Sequence, residues 1–172
     1  DVPFYLHPRM QIPAQAKNYE GHPWLMSAPW GFAVETSIHS LRLCGSGLFD
    51  DYPTLKICIG HLGENIPFGL WRLDARMRFS PRGYRGKKPL GDYFRKHFHI
   101  TTSGNFHTPS LLGAMLQVGA DRILFAADYP FERTAEAAAW FDTVPISEGD
   151  RRKIGRDNAA RLLGIDIGAG VS

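Results

Sequence analysis

Short apolar segments alternate with longer amphipathic segments along this chain, and this alternation limits the fold more than any other feature. Apolar runs rich in β-branched or aromatic residues predict strands at residues 2–6, 56–60, 99–102 and 123–127. Helical patterns lie between and after them, at residues 32–45, 66–79, 91–97, 108–118, 134–141 and 147–163. A long loop rich in proline, tryptophan and glycine is predicted over residues 10–31, and a turn over residues 48–53. Alternation of this kind is typical of parallel sheets with helical crossovers, so the chain is predicted to be an α/β protein.

Each predicted strand ends in a polar residue suited to catalysis: His7, His61, Ser103 with Asn105, and Asp128. In a (β/α)₈ TIM-type barrel the carboxyl ends of the strands converge on one face, which is where the active site lies. A doubly wound open sheet is the alternative, but no glycine-rich nucleotide-binding loop follows the first strand. We therefore favour a barrel. Four units are half of eight, so the chain is expected to supply the last four βα units.

Composition excludes several classes of protein. The 172 residues, 44% of them hydrophobic, suffice for one core and predict one domain. A net charge of +3 is too small to indicate nucleic acid as a partner, and no apolar run is long enough for a membrane span. Cys44 and Cys58 lie in apolar segments without metal-binding spacing, so we expect free thiols in the cytoplasm.

His61 and Glu64 follow the second predicted strand across a glycine-rich turn. His61 titrates near neutrality, and Glu64 is placed to orient it or to set its tautomer. A histidine at a strand end is more often structural when it stands alone. The polar ends of the three other strands make a catalytic role the stronger interpretation.

Two histidines and an aspartate that converge from separate strand ends suit a divalent transition metal. With His7 and Asp128 as ligands, a further ligand must come from elsewhere, and we expect its source to be an earlier strand that this chain does not contain. The remaining histidines are poor candidates: His22, His39, His97, His99 and His107. His39 lies within a predicted helix, and His97 and His99 precede a strand or point outward at its start. His107 is the least improbable of the five.

Six segments resemble the metal-dependent ortho-hydroxybenzoate decarboxylases of the amidohydrolase superfamily, in order and at matching spacing: residues 4–9, 21–25, 46–50, 59–64, 100–104 and 119–132. This group includes γ-resorcylate, 2,3-dihydroxybenzoate and salicylate decarboxylases. It is a (β/α)₈ barrel of nearly twice this length, whose first strand carries a Glu-x-His metal motif that nothing here matches. The resemblance implies that residues 1–172 are the carboxyl-terminal half of one barrel domain.

The resemblance also implies roles for individual residues. His7 and Asp128 match metal ligands, His61 matches the catalytic histidine, and Glu64 matches its partner. Either Asp128 or the His61–Glu64 pair would supply the proton, and the sequence leaves this choice open.

For the substrate, the resemblance places Arg72 near the bound acid. The loop that contains His22 and Trp24 would supply an aromatic wall that excludes water. Core packing of Trp24, or a surface ion pair of Arg72, is about as plausible from the sequence alone.

The resemblance implies a non-oxidative decarboxylase that converts a small aromatic acid to a phenol and CO₂, reversibly in principle. Its cofactor would be Zn²⁺, with Mn²⁺ or Mg²⁺ as alternatives and no organic group. Expected partners are the missing barrel half and further copies in a homodimer or homotetramer. The alternatives are a metal-dependent amidohydrolase or lactonase, and a non-catalytic half-barrel that binds a partner.

Overall fold

The computed structural model describes residues 2–168, so Asp1 and residues 169–172 of the predicted domain lie outside the described part. Its sheet has four strands: β1 (Phe4–Leu6), β2 (Ile57–Ile59), β3 (Phe98–Thr101) and β4 (Ile123–Leu124). They are parallel and lie in the order β1-β2-β3-β4. A doubly wound sheet reverses its strand order at a switch point, whereas a barrel keeps consecutive strands adjacent. The predicted α/β class is therefore confirmed, with the strand order of a barrel.

The helices of the described residues surround one side of this sheet. Their bounds are α1 Pro13–Ala16, α2 Gly31–Gly45, α3 Leu48–Asp51, α4 Ile66–Met77, α5 Leu90–His97, α6 Thr108–Val118, α7 Thr134–Thr143, α8 Glu148–Arg152 and α9 Asn158–Leu163. A π-helical turn, Lys153–Asp157, joins α8 to α9. The predicted helix over residues 147–163 therefore exists with an irregular middle. It begins at Ser147, whose hydroxyl accepts from the Asp150 backbone N–H.

Two predictions about loops were wrong. Residues 10–31 do not form a continuous loop, because α1 begins with Pro13 and single 3₁₀ turns follow at Lys17–Tyr19 and Pro23–Leu25. Proline fixes φ at a helical value and so favours the first helical position. The predicted turn after Gly47 is the short helix α3. Gly47 itself, which precedes the first residue of this helix, has a left-handed conformation.

Alternate residues of the strands face opposite sides of the sheet. One set packs against the helices and forms the centre of the core: Ile57, Ile59, Phe98, Ile100 and Ile123. The other set includes Cys58, His99 and Thr101, which are also buried. The strand ends at each edge of the sheet are therefore held by a tightly packed core.

Cys44 and Cys58 are both free and buried, as predicted. Burial raises the thiol pKa of Cys44 to about 12 and that of Cys58 to about 11. Neither thiol ionises near neutrality, so they act as small apolar side chains. No helix within residues 2–168 combines the length and apolar character that a bilayer crossing needs.

Candidate active site

The chain turns sharply at the carboxyl edge of the sheet. After β2 it forms a 3₁₀ turn, His61–Gly63, in which the His61 N–H donates to the backbone oxygen of Ser103 at 3.2 Å. Four residues without glycine's freedom have positive φ at this edge: His61 at 53°, Leu62 at 57°, Glu64 at 58° and Asp128 at 74°. Such conformations are uncommon and gather at functional sites. Backbone strain is therefore concentrated where the candidate side chains meet.

The side chains of His61, Glu64 and Asp128 form one cluster. His61 Nδ1 lies 2.8 Å from Glu64 Oε1, and its Nε2 lies 3.8 Å from Asp128 Oδ2. The Glu64 side chain is only 3% exposed. The hydrogen bond to Glu64 raises the pKa of His61, burial opposes this, and the charges of Glu64 and Asp128 add to the increase. Glu64 thus fixes the ring through Nδ1 and leaves Nε2 directed toward Asp128.

Gly104 forms the floor beneath this cluster. A Cβ atom at this position would lie 2.7 Å from His61 Cδ2 and 3.2 Å from Asp128 Oδ2, and the residue has φ of +64°. Both observations require glycine. The missing side chain lets the imidazole and the carboxylate approach the backbone that follows β3.

Hydroxyl groups form a chain beside the cluster. Tyr5 Oη lies 3.3 Å from Thr101 Oγ1, which lies 2.7 Å from Ser103 Oγ. Sequence reasoning placed Ser103 at the strand end but missed Tyr5 and Thr101. The sequence signal for Thr101 is its spacing of two residues from Ser103. The signal for Tyr5 is its position in the middle of β1.

His7 follows β1 and is exposed. Its Nδ1 lies 2.8 Å from the backbone oxygen of Pro8. Histidines that bind metals usually donate their other ring N–H to a carbonyl or carboxylate, so the His7 ring has the hydrogen bond of a metal ligand and an available Nε2. Within residues 2–168 no group of three or more His, Cys, Asp or Glu side chains is arranged to hold a metal.

The predicted substrate residues are exposed side chains. His22 and Trp24 are exposed, with ring centroids 6.0 Å apart in an edge-to-face arrangement. Arg72 is exposed on α4. In the described part of the chain, no hydrogen bond or ion pair joins these side chains to His61, Glu64 or Asp128. Their roles remain predictions.

His97 precedes β3, as predicted, but the expectation that His99 points outward at the start of this strand was wrong, because its side chain is buried. His97 is the last residue of α5; its Nδ1 lies 2.9 Å from the Leu55 backbone oxygen, and its ring stacks on Phe49 with centroids 4.2 Å apart. His99 is the second residue of β3 and is 5% exposed. The strand begins one residue earlier than predicted, which places both rings in packed surroundings.

Residues 1–165 match the amidohydrolase family. γ-Resorcylate decarboxylase from Rhizobium sp. (strain MTP-10005) is 53% identical over 96% of this chain and 51% of its own length. The enzyme of the same name from Polaromonas sp. (strain JS666) is 52% identical over 96% of this chain and 52% of its length. The chain thus spans about half the length of these relatives.

Solved structures of related decarboxylases give the same result as the sequence comparison. A dihydroxybenzoic acid decarboxylase from Polaromonas sp. JS666, with bound manganese and the inhibitor 2-nitroresorcinol, superimposes with a TM-score of 0.92 at 51% identity, covering 95% of this chain and 50% of that one. 2,6-Dihydroxybenzoate decarboxylase from Rhizobium gives 0.92 at 52% identity, covering 96% and 52%. The expected barrel-type α/β fold, with about half of a barrel in this chain, is confirmed.

Proposed function

This chain belongs to the amidohydrolase family, and on that premise we propose that it serves the metal-dependent, non-oxidative decarboxylation of ortho-hydroxybenzoic acids such as 2,6-dihydroxybenzoate. The products would be CO₂ and a phenol, and the reaction is reversible in principle. The relatives above 50% identity carry the name γ-resorcylate decarboxylase. Residues 1–172 would form the carboxyl-terminal half of a single barrel domain, with the amino-terminal half as their partner.

The geometry of His61 is the observation that supports this chemistry most strongly. Decarboxylation requires a proton at the ring carbon that bears the carboxylate, and release of CO₂ then restores aromaticity. Glu64 accepts from His61 Nδ1–H, so Nε2 is the atom left to exchange a proton with the substrate. Asp128, 3.8 Å from Nε2, is the adjacent group that would hold or return this proton. We assign the acid function to this pair and not to either side chain alone.

His7 and Asp128 would hold a divalent cation. The hydrogen bond of His7 Nδ1 to the Pro8 backbone oxygen fits that role, because metal-binding histidines usually donate their other ring N–H in this way. When bound, such an ion offsets the charge of the carboxylate and phenolate oxygens and fixes the ring. Manganese in the related Polaromonas structure makes Mn²⁺ the first ion to test, with Zn²⁺, the sequence-based expectation, and Mg²⁺ as alternatives.

We also propose the remaining partners. The substrate-binding residues would be Arg72, His22 and Trp24. The resemblance to the ortho-hydroxybenzoate decarboxylases supports this assignment. A homodimer or homotetramer is supported by the apolar surface of two neighbouring helices, since Phe68 on α4 is 98% exposed and Leu116 on α6 is 87% exposed. The two buried free thiols support a cytoplasmic location.

The test is to incubate this chain, combined with the amino-terminal half of the Polaromonas relative, with Mn²⁺ and 2,6-dihydroxybenzoate and to measure CO₂ and resorcinol. Stoichiometric release of both supports the proposal. Cleavage of a cyclic ester without CO₂ would instead identify a hydrolase of the same family. Failure to bind metal, with neither reaction, would indicate a half-barrel that only binds a partner.

A further inference from the structure

A cavity lies at the amino ends of the strands, at the edge of the sheet opposite His61. Its volume is about 820 Å³. Its walls include Pro3 before β1, Lys56 before β2, His99 near the start of β3 and Arg122 before β4. A four-residue strand is roughly 13 Å long, so this cavity is separate from the candidate active site.

The charged side chains that line this cavity are all cationic: Lys56, Arg122 and Arg161. The Lys56 ammonium donates to the backbone oxygen of Lys96 at 3.3 Å, and Arg122 Nη1 lies 3.3 Å from His99 Nε2. Neither contact neutralises a charge. Mutual repulsion contributes to lowering the pKa of Lys56 and of Arg122, after the larger effect of burial.

One carboxylate lies nearby but outside the lining. Asp121 Oδ1 is 3.1 Å from Lys153 Nζ and 3.9 Å from Arg161 Nη2. Among the described residues, Lys56 and Arg122 therefore have no carboxylate within ion-pair distance. The charge of Asp121 favours the cationic form of Arg122 and so offsets part of the repulsion. The amino-terminal face of a barrel normally serves stability, and the remaining repulsion between Lys56 and Arg122 does not.

His99 provides a second, independent observation. It lines the cavity, is 5% exposed, and its Nδ1 has no hydrogen-bond partner among residues 2–168. Arg122 only donates, so Nε2 of His99 accepts and the ring proton lies on Nδ1. Burial, followed by the charges of Arg122, Lys56 and Arg161, lowers the pKa of His99 to about 4. A buried donor among cations lacks an acceptor, which costs free energy.

We propose that this cavity binds a small organic oxyanion with an apolar body. The head, a phosphate or carboxylate, would accept from the cations at Lys56 and Arg122, and Arg122 in turn contacts His99 Nε2. The body would lie against the apolar part of the lining, which includes Tyr52 and Leu55. The volume lies within the range of about 300–1,000 Å³ that small-molecule sites occupy. Nothing in this proposal depends on the decarboxylase reaction.

The test uses native-length protein and calorimetric titration at constant ionic strength, with phenyl phosphate, inorganic phosphate and benzoate as probes. We expect phenyl phosphate to bind about tenfold more tightly than inorganic phosphate. Arg122→Gln should weaken phenyl phosphate binding by about tenfold, the scale of one charge-assisted hydrogen bond. Arg133→Gln is the matched control, because Arg133 is exposed and Glu136 is its one ion-pair partner among residues 2–168. Whichever of phenyl phosphate and benzoate binds more tightly identifies the head group.

The His99 imidazole gives a readout that does not depend on a substitution. Its ¹⁵N resonances should shift when phenyl phosphate is added to the wild-type protein, while those of the exposed His107 should not. Tyr52→Ser should weaken phenyl phosphate and leave inorganic phosphate unchanged. Binding equal in wild type and Arg122→Gln, unchanged His99 resonances, or inorganic phosphate binding as tightly as phenyl phosphate would each overturn the proposal.

Discussion

At the carboxyl edge of the sheet His61 lies between two carboxylates, whereas at the amino edge His99 lies among cations. The pKa of His61 is raised, mainly because Glu64 accepts its hydrogen bond, and that of His99 is lowered to about 4, mainly by burial. The residue type is the same at both edges. The elements that surround each ring therefore determine its pKa. Substitutions at one edge of the sheet can be compared with substitutions at the other.

The largest expected effect concerns His61. His61→Asn removes the group that we assign to proton transfer, and turnover of 2,6-dihydroxybenzoate should fall by roughly a hundredfold or more, the usual scale for a general acid or base. Fold and metal content should be unchanged. His107→Asn is the control, since His107 is exposed and, in the part of the chain that the structure describes, its side chain bonds to Ser110 alone. Stoichiometric loss of metal from His61→Asn would make His61 a ligand and contradict our division of roles.

His99 predicts a pH effect on stability. Its folded pKa of about 4 lies below the ordinary value of 6.5, so between these values the unfolded chain binds more protons than the folded one. Stability is therefore retained above pH 6.5 and is lost as the pH falls toward 4. Between pH 7 and pH 5 the free energy of unfolding should decrease by about 2 kcal/mol through this residue.

Urea unfolding of wild type, His99→Gln and His107→Gln at both pH values measures this effect. His99→Gln should show a smaller pH dependence by about 2 kcal/mol, and His107→Gln should retain the wild-type dependence. Identical slopes in all three proteins would show that His99 titrates normally in the folded state.

A smaller effect is expected at Gly104. Gly104→Ala places a methyl group against the His61 ring, and we expect turnover to fall by about tenfold. The same substitution at Gly83 is a matched control, because Gly83 has φ of +85° and nothing within 4 Å of the new Cβ. Both variants should lose roughly 1 kcal/mol of stability from the backbone alone. Equal turnover in the two variants would exclude a close fit at Gly104.

The sequence predicted the strands, the long helices and the carboxyl-edge residues because those features are local. Strand β2 and the glycines around His61 lie within eight consecutive residues of the sequence. The helix α1 was missed because a four-residue helix carries almost no periodic signal. The π-helical turn at Lys153–Asp157 likewise has no pattern that distinguishes it from an α-helix.

The amino edge could not be read from the sequence. Four residues that line it are scattered over more than a hundred residues of the sequence: Lys56, His99, Arg122 and Arg161. The first three meet because parallel strands place their starting residues together, and Arg161 joins them from α9. A shift of one residue in the start of β3 also changed the expected surroundings of His99. The relation of His61 to Asp128 was anticipated because strand ends converge, but the distance depends on Gly104.

The central claim is that the carboxyl edge of this chain performs the proton chemistry of decarboxylation once the barrel is completed. The direct test is to measure CO₂ released from 2,6-dihydroxybenzoate, with Mn²⁺ present, by this chain alone and by this chain co-expressed with the amino-terminal half of the Polaromonas relative. We expect a metal-loaded complex that releases CO₂ and loses this activity in His61→Asn, with neither metal nor activity in the isolated chain. Full activity of the isolated chain, or a metal-loaded complex that releases no CO₂, would contradict the claim.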